Sequence, residues 1–185
     1  MTPERGWQAL LCESALKYGQ AGWFVFPCVP GEKKPLTEHG FKDASRDPST
    51  IRAWWQKWPL ANIGVDCGRS KLAVVDLDVK NGADGLGEWA ALGIDDSAAL
   101  EQETPSGGIH KIWTTRNGIK STASKIAPGI DTRGEGGYII VAPSRTPEGS
   151  YVWEASSHPQ DQASGALPPE VAQLLANGHQ AAADV

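Results

Sequence analysis

The stretch Leu72-Ala73-Val74-Val75-Asp76-Leu77-Asp78 passes from wholly apolar to acidic within two turns of a pleat. A continuous Leu/Ala/Val run of this kind suits a strand covered on both faces, and a strand is expected from Leu72 to Val79. Strand side chains alternate, so Asp76 and Asp78 are expected on one face, two residues apart. Two carboxylates in a partly buried place repel, and one would ordinarily have to hold a proton. A divalent cation removes that conflict, and hard oxygen ligands on a rigid strand suit Mg²⁺ or Mn²⁺. The competing reading has Asp78 opening a loop and Asp76 capping a neighbouring turn.

Outward from this strand, the pattern is a mixture of helices and hairpin-like strands. Pro3 follows a capping Thr2, and Trp7, Leu10, Leu11, Ala15 and Tyr18 recur at helical spacing until Gly19 and Gly22. Trp23 to Phe26 reads as a strand stopped by Pro27, and 30–35 as a loop carrying Lys33 and Lys34. Asp47 and Pro48 open a second helix whose Ile51, Trp54, Trp55 and Trp58 form one apolar face before Pro59. Further strands are expected at Asn62–Asp66, Gly108–Thr115, Tyr138–Val141 and Tyr151–Trp153. Short helices are expected at Asp84–Leu92 and Pro168–Ala176. Without the regular alternation of a doubly wound sheet, the fold class is α+β (mixed α/β). The domain is expected to span 1–177, with 178–185 as a tail.

With 185 residues, one domain is the natural expectation on a prior of about 150 residues each. A net charge of −5 rules out a uniformly basic surface, so a polyanion site has to be a local cluster or be bridged by metal. No run approaches a membrane span and no signal-peptide pattern opens the chain, which reads as soluble and cytoplasmic. Cys12, Cys28 and Cys67 have no zinc-like spacing and read as buried free thiols; no zinc is expected. Eight of the fourteen aromatic residues are Trp, expected as core anchors rather than base-stacking platforms.

Two more constellations bear on chemistry. In Thr104-Pro105-Ser106-Gly107-Gly108-Ile109-His110, paired glycines let backbone N–H groups approach an anion, with His110 as a further donor. The alternative is an ordinary Gly-Gly turn and a structural histidine. In Pro128-Gly129-Ile130-Asp131-Thr132-Arg133-Gly134, Asp131 can supply a third metal ligand and Arg133 a bidentate grip on phosphate. An Asp–Arg pair dressing a loop is the competing reading, as a solvated pair is for Lys33 and Lys34.

The order of these signals, acid-x-acid on a strand, a small-residue turn with His, then a single Asp, resembles the bifunctional DNA primase/polymerase domain of the archaeo-eukaryotic primase superfamily. The resemblance runs from about Ala15 to Trp153. It takes in Tyr18 to Pro27 (a helix end, then Gly22-Trp23 to Pro27), Lys34-Pro35, the Asp47/Trp54-Trp55 helix, Asn62-Ile63-Gly64, Gly137-Tyr138-Ile139-Ile140-Val141-Ala142-Pro143-Ser144 and the segments above. It implies an RNA-recognition-motif-like sheet flanked by helices and two divalent ions, Mg²⁺ or Mn²⁺. Asp76, Asp78 and Asp131 match the metal-binding acids and His110 the nucleotide-phosphate histidine, while Arg133, Lys34 and Ser106 are candidate phosphate contacts. Tyr138 is a candidate for sugar discrimination, against a core role in its strand. Asp66 and Cys67 stand where many relatives have a plainer turn. The implied activity is template-directed nucleotidyl transfer in replication. Its partners would be a single-stranded DNA template, NTP or dNTP, and a helicase domain or partner of a replication protein. A metal-dependent phosphohydrolase or nuclease using the same acids, and a non-catalytic DNA-binding module, are the other readings.

Overall fold

The structure of the protein, a computed structural model, describes residues 3–177. Thr2 and the expected 178–185 tail lie outside the described residues. In chain order the elements are α1 (Pro3–Gln20), β1 (Phe24–Cys28), α2 (Pro48–Lys57), β2 (Asn62–Asp66), β3 (Leu72–Leu77), α3 (Gly85–Ala91), β4 (Leu100–Glu103) and β5 (Ile109–Thr114). Then follow β6 (Ile130–Arg133), β7 (Tyr138–Val141), β8 (Arg145–Thr146), β9 (Gly149–Ser150), β10 (Val152–Trp153) and α4 (Pro169–Asn177). The fold is α+β, as its pattern of elements implies.

Two antiparallel sheets carry the architecture. One has the order β1-β2-β7, the other β10-β4-β5-β3-β6, and β8 and β9 form a small hairpin. The apolar run of β3 needs cover on both faces because it lies inside the five-stranded sheet. Leu72 and Val74, with Leu100 and Ile112, face a core shared with β2, β7, α1 and α2, where Leu11, Ala15, Ile51 and Trp55 are buried. Val75 and Leu77, with Trp113 and Ile130, face a second core closed by Trp89 of α3 and Val171 of α4. The tryptophans are core residues in the main: Trp23, Trp55, Trp89 and Trp113 are buried, and Trp7, Trp54, Trp58 and Trp153 pack at the margin. The exception to the α1 pattern is Leu10, which is exposed.

Local chemistry explains most element ends. The Asp47 carboxylate accepts from the Thr50 N–H and Pro48 occupies the first turn of α2; the Asp84 carboxylate accepts from the Gly87 N–H at the start of α3. Several boundaries shift by a residue or two from expectation, and two of these have a visible cause or consequence. β1 continues through Pro27 to Cys28, which an edge strand permits because its missing N–H costs no ladder bond; the Pro27 carbonyl accepts from Leu36. β3 ends at Leu77 rather than Val79, although the Asp78 N–H still bonds the Gly129 carbonyl.

Backbone conformation requires the first glycine of the Gly107-Gly108 pair and packing the second. Gly107 has φ +84° in a turn closed by its own N–H on the Thr104 carbonyl, so that donor is occupied. A Cβ on Gly108 would stand 2.4 Å from the Leu77 carbonyl oxygen. Gly108→Ala is therefore expected to cost about 1–3 kcal/mol, as overpacking against backbone does, read as a lower urea midpoint; an unchanged midpoint would show that the strand end yields freely.

Candidate active site

The register of β3 with its two neighbours builds the site. Asp76 lies opposite His110 on β5 and opposite Asp131 on β6, and His110 in turn lies opposite Gln102 on β4. Directly paired residues of an antiparallel sheet share a face, so Gln102, His110, Asp76 and Asp131 form one polar row across four strands. The same face carries Leu72, Val74 and Ile112 deeper in the sheet, and it changes from core to site within one residue pair along β3.

Along this row the side chains meet. The Arg133 guanidinium donates to Asp131 Oδ2 at 3.0 Å, and its Nη2 stands 3.9 Å from Asp76 Oδ2, so one cation bridges two opposed carboxylates. Asp131 Oδ1 accepts from the Ser124 N–H at 2.8 Å. His110 Nε2 lies 3.5 Å from Asp76 Oδ1, and its Nδ1 lies 3.1 Å from Gln102 Nε2. Burial is the main influence on the His110 ring and pushes its pKa down; the Asp76 charge opposes this, and Lys33 and Arg133 add to it.

A cavity of about 340 Å³ opens over the row, between it and β7. Its lining includes Lys33, Asp76, His110, Ser121, Arg133, Tyr138 and Tyr151. Of the residues singled out in the sequence, Asp76, His110 and Arg133 therefore face the cavity, and Asp131 is tied to it through Arg133. Asp78 follows the last residue of β3; its charge acts on His110 and Lys80, as that of Asp76 does. Lys33 lines the cavity where Lys34 does not, because its carbonyl is held by the Tyr138 hydroxyl at 3.1 Å. Ser106 is also absent from the lining, and its hydroxyl lies 3.3 Å from that of Thr104. Tyr138 borders the cavity with its ring against Phe26 and Phe41, as a partly buried strand residue. Gln102, Ser121 and Tyr151 were not recognised as site residues from sequence; the one available signal was a Gln at an inward position between Leu100 and Thr104.

Among the described residues, no three His, Cys, Asp or Glu side chains are gathered to hold a metal ion by themselves. The donor set is a pair of opposed carboxylates whose charge one cation, Arg133, half offsets. Mg²⁺ commonly takes one or two carboxylates alongside water and substrate phosphates, so Asp76 and Asp131, with Asp78 near, fit such an ion. Cys28 and Cys67 are buried and Cys12 is half-buried; all three are free, and burial raises their thiol pKa values.

A sequence model of the family described as bifunctional DNA primase/polymerase, N-terminal, matches residues 15–170. The chain belongs to this family. No curated protein matches it. Membership places its chemistry in the DNA primase/polymerase class, with DNA and nucleotides as substrates. Among the described residues, no helix of this primase/polymerase domain is long and apolar enough to cross a membrane.

A second, larger groove adjoins the cavity. Lys71, Arg116, Lys120 and Lys125 line it with Thr114, Thr115, Asn117 and Thr122, and one wall is formed by Leu167, Ala172 and Leu175. Among the described residues that line it none is a carboxylate, although Glu135 reaches the Gly118 side. The segment 118–122 separates the two openings: Ser121 faces the cavity, while Lys120 and Thr122 face the groove.

If Arg133 neutralises the opposed carboxylates, Arg133→Met should lower stability by about 1 kcal/mol near neutral pH, a small figure because all three groups are partly exposed. The repulsion left in the variant is electrostatic between partly exposed groups, so the difference from wild type should shrink as salt is raised to about 1 M. Urea unfolding of both proteins at low and at high salt measures this; a gap independent of salt would assign Arg133 a packing role.

Proposed function

We propose that this domain performs template-directed nucleotidyl transfer on DNA: a 3′-oxygen forms a bond to the α-phosphorus of a nucleoside triphosphate, the bond to pyrophosphate breaks, and the hydroxyl proton leaves to solvent. The observation that carries the reading is the Asp76–Asp131 pair, opposed across neighbouring strands, with Asp76, His110 and Arg133 lining one cavity and Arg133 bonded to Asp131, in a chain of this family.

Asp76 and Asp131 would hold divalent ions, Mg²⁺ or Mn²⁺, with Asp78 as a further acid. Bound ions would supply Lewis-acid activation of the attacking hydroxyl and charge neutralisation at the leaving group. The protein's own part is positioning. Arg133 would grip phosphate by its fork, Lys33 would add positive charge to the lining, and His110 would offer a ring nitrogen there. Lys34 and Ser106 stand outside the lining, so for either to reach the triphosphate its loop would have to move.

The basic groove favours a polymeric substrate over a free nucleotide. Four cations on a chain of net charge −5 form the local cluster that a polyanion requires, and among the described residues no aromatic ring lines the groove to select a base. It suits the sugar–phosphate backbone of single-stranded template. Lys120→Ala with Lys125→Ala should weaken binding of single-stranded DNA and flatten its salt dependence by roughly 0.7 for each phosphate no longer neutralised. Fluorescence anisotropy at several salt concentrations measures this, with exposed Lys17→Ala as the control; equal slopes in all three proteins would place the strand elsewhere.

The chemistry is tested by primer extension on a single-stranded template with Mg²⁺ or Mn²⁺. Wild type should lengthen the primer up to the template end, and Asp76→Asn should lower the rate at least about a hundredfold, or about 2.7 kcal/mol, with an unchanged circular dichroism spectrum. Release of monophosphates without longer products would assign the same acids to hydrolysis.

A further inference from the structure

We propose that Gln102 is a positioning residue which fixes the His110 ring as the tautomer carrying its proton on Nε2. The inference starts from groups whose hydrogen-bonding polarity is invariant. Gln102 is fully buried on β4, and its amide meets two backbone groups of the neighbouring sheet. The Ala142 N–H can only donate, so the amide atom 2.7 Å from it must be the oxygen, Oε1. The Ile140 carbonyl can only accept, so the atom 2.9 Å from it must be the nitrogen, Nε2. The amide cannot be flipped without placing two donors and two acceptors face to face, and the usual ambiguity of a glutamine is absent here.

Nε2 carries two hydrogens. One goes to Ile140, and the other points to His110 Nδ1 at 3.1 Å. Nδ1 must therefore accept, and a neutral imidazole whose Nδ1 accepts bears its hydrogen on Nε2. That nitrogen faces Asp76 Oδ1 at 3.5 Å and belongs to the cavity floor. The opposite tautomer would turn a bare lone pair toward a carboxylate and toward any phosphate in the cavity. Gln102 also joins β4 and β5 to the end of β7, so the ring's height in the cavity is set from both sheets.

The consequence for substrate rests on the proposed nucleotidyl transfer: His110 meets the triphosphate as an uncharged N–H donor, oriented before the nucleotide arrives. This places no second positive charge beside Arg133 and needs no ring rotation on binding.

Two measurements test the inference separately from the activity. In wild type at about pH 8, where an imidazole is ordinarily neutral, long-range ¹H–¹⁵N correlation spectra should show the His110 ring protonated on Nε2 and bare on Nδ1. The resonance is assigned by its loss in His110→Gln. A ring protonated on Nδ1 overturns the proposal whatever the enzyme does. Gln102→Glu keeps the shape but offers the ring an acceptor, so the proton should move to Nδ1. KM for the nucleoside triphosphate should then rise at least about tenfold while kcat stays within about threefold. Gln102→Met, which offers neither donor nor acceptor, should raise KM less than Gln102→Glu. An unmoved proton in Gln102→Glu overturns the positioning role, and a moved proton with unchanged KM overturns the donor role toward phosphate. If wild type extends no primer yet shows the Nε2–H ring, the reaction assignment fails and the tautomer lock stands. Should Gln102→Glu not fold, the wild-type spectrum alone decides.

Discussion

Two carboxylates directly opposite one another on adjacent strands are an unfavourable pairing unless something positive lies between them. Asp76 and Asp131 are held in that position by the backbone ladder of β3 and β6, which neither side chain can relax. Arg133, two residues along β6 and hence on the same face, supplies the compensating charge. The rest of the site follows from this constraint. β5 brings His110 to the other side of Asp76, β4 brings Gln102 behind the ring, and β7 roofs the row to leave a cavity. A sheet face that would otherwise continue as core becomes a place where charge is gathered.

The parts legible in the sequence were those governed by local rules. The β3 run, the Asp47-Pro48 start of α2 and the Asp84 cap of α3 each carry their own signal within a few residues. Asp76, His110 and Arg133 were recognisable because the chemistry-bearing residue types stand in order beside small-residue turns. The register between β3 and β6 was not legible, because about fifty residues of chain separate them and pairing is decided by the whole sheet. Nor was β4: Leu100-Glu101-Gln102-Glu103 has the composition of a solvated segment, and it is a strand only because β5 and β10 flank it. Gln102 was hidden with it. The choice of Lys33 over Lys34 depends on a loop turned by Tyr138, and the basic groove gathers cations from separate segments, so no window of sequence contains either.

The charge distribution connects these features. A chain of net charge −5 is a poor polyanion binder on average, but its cations are concentrated where two openings share the segment 118–122. The carboxylate Asp76 lies on one side of that segment with Lys33 and Arg133, and on the other the lining cations have no carboxylate with them among the described residues. In the proposed function this division would separate a nucleotide site from a surface that follows the phosphates of a strand.

The central claim is that the Asp76–Asp131 pair takes a divalent ion beside His110. Paramagnetic broadening by Mn²⁺ tests it most directly, because broadening falls steeply with distance and His39, exposed and outside the cavity lining, is an internal control. At low Mn²⁺ the account predicts that the His110 ring resonance disappears before that of His39, and that Asp131→Asn abolishes the difference. Broadening of both rings alike, or a His110 signal indifferent to Mn²⁺ with nucleotide present, would contradict it.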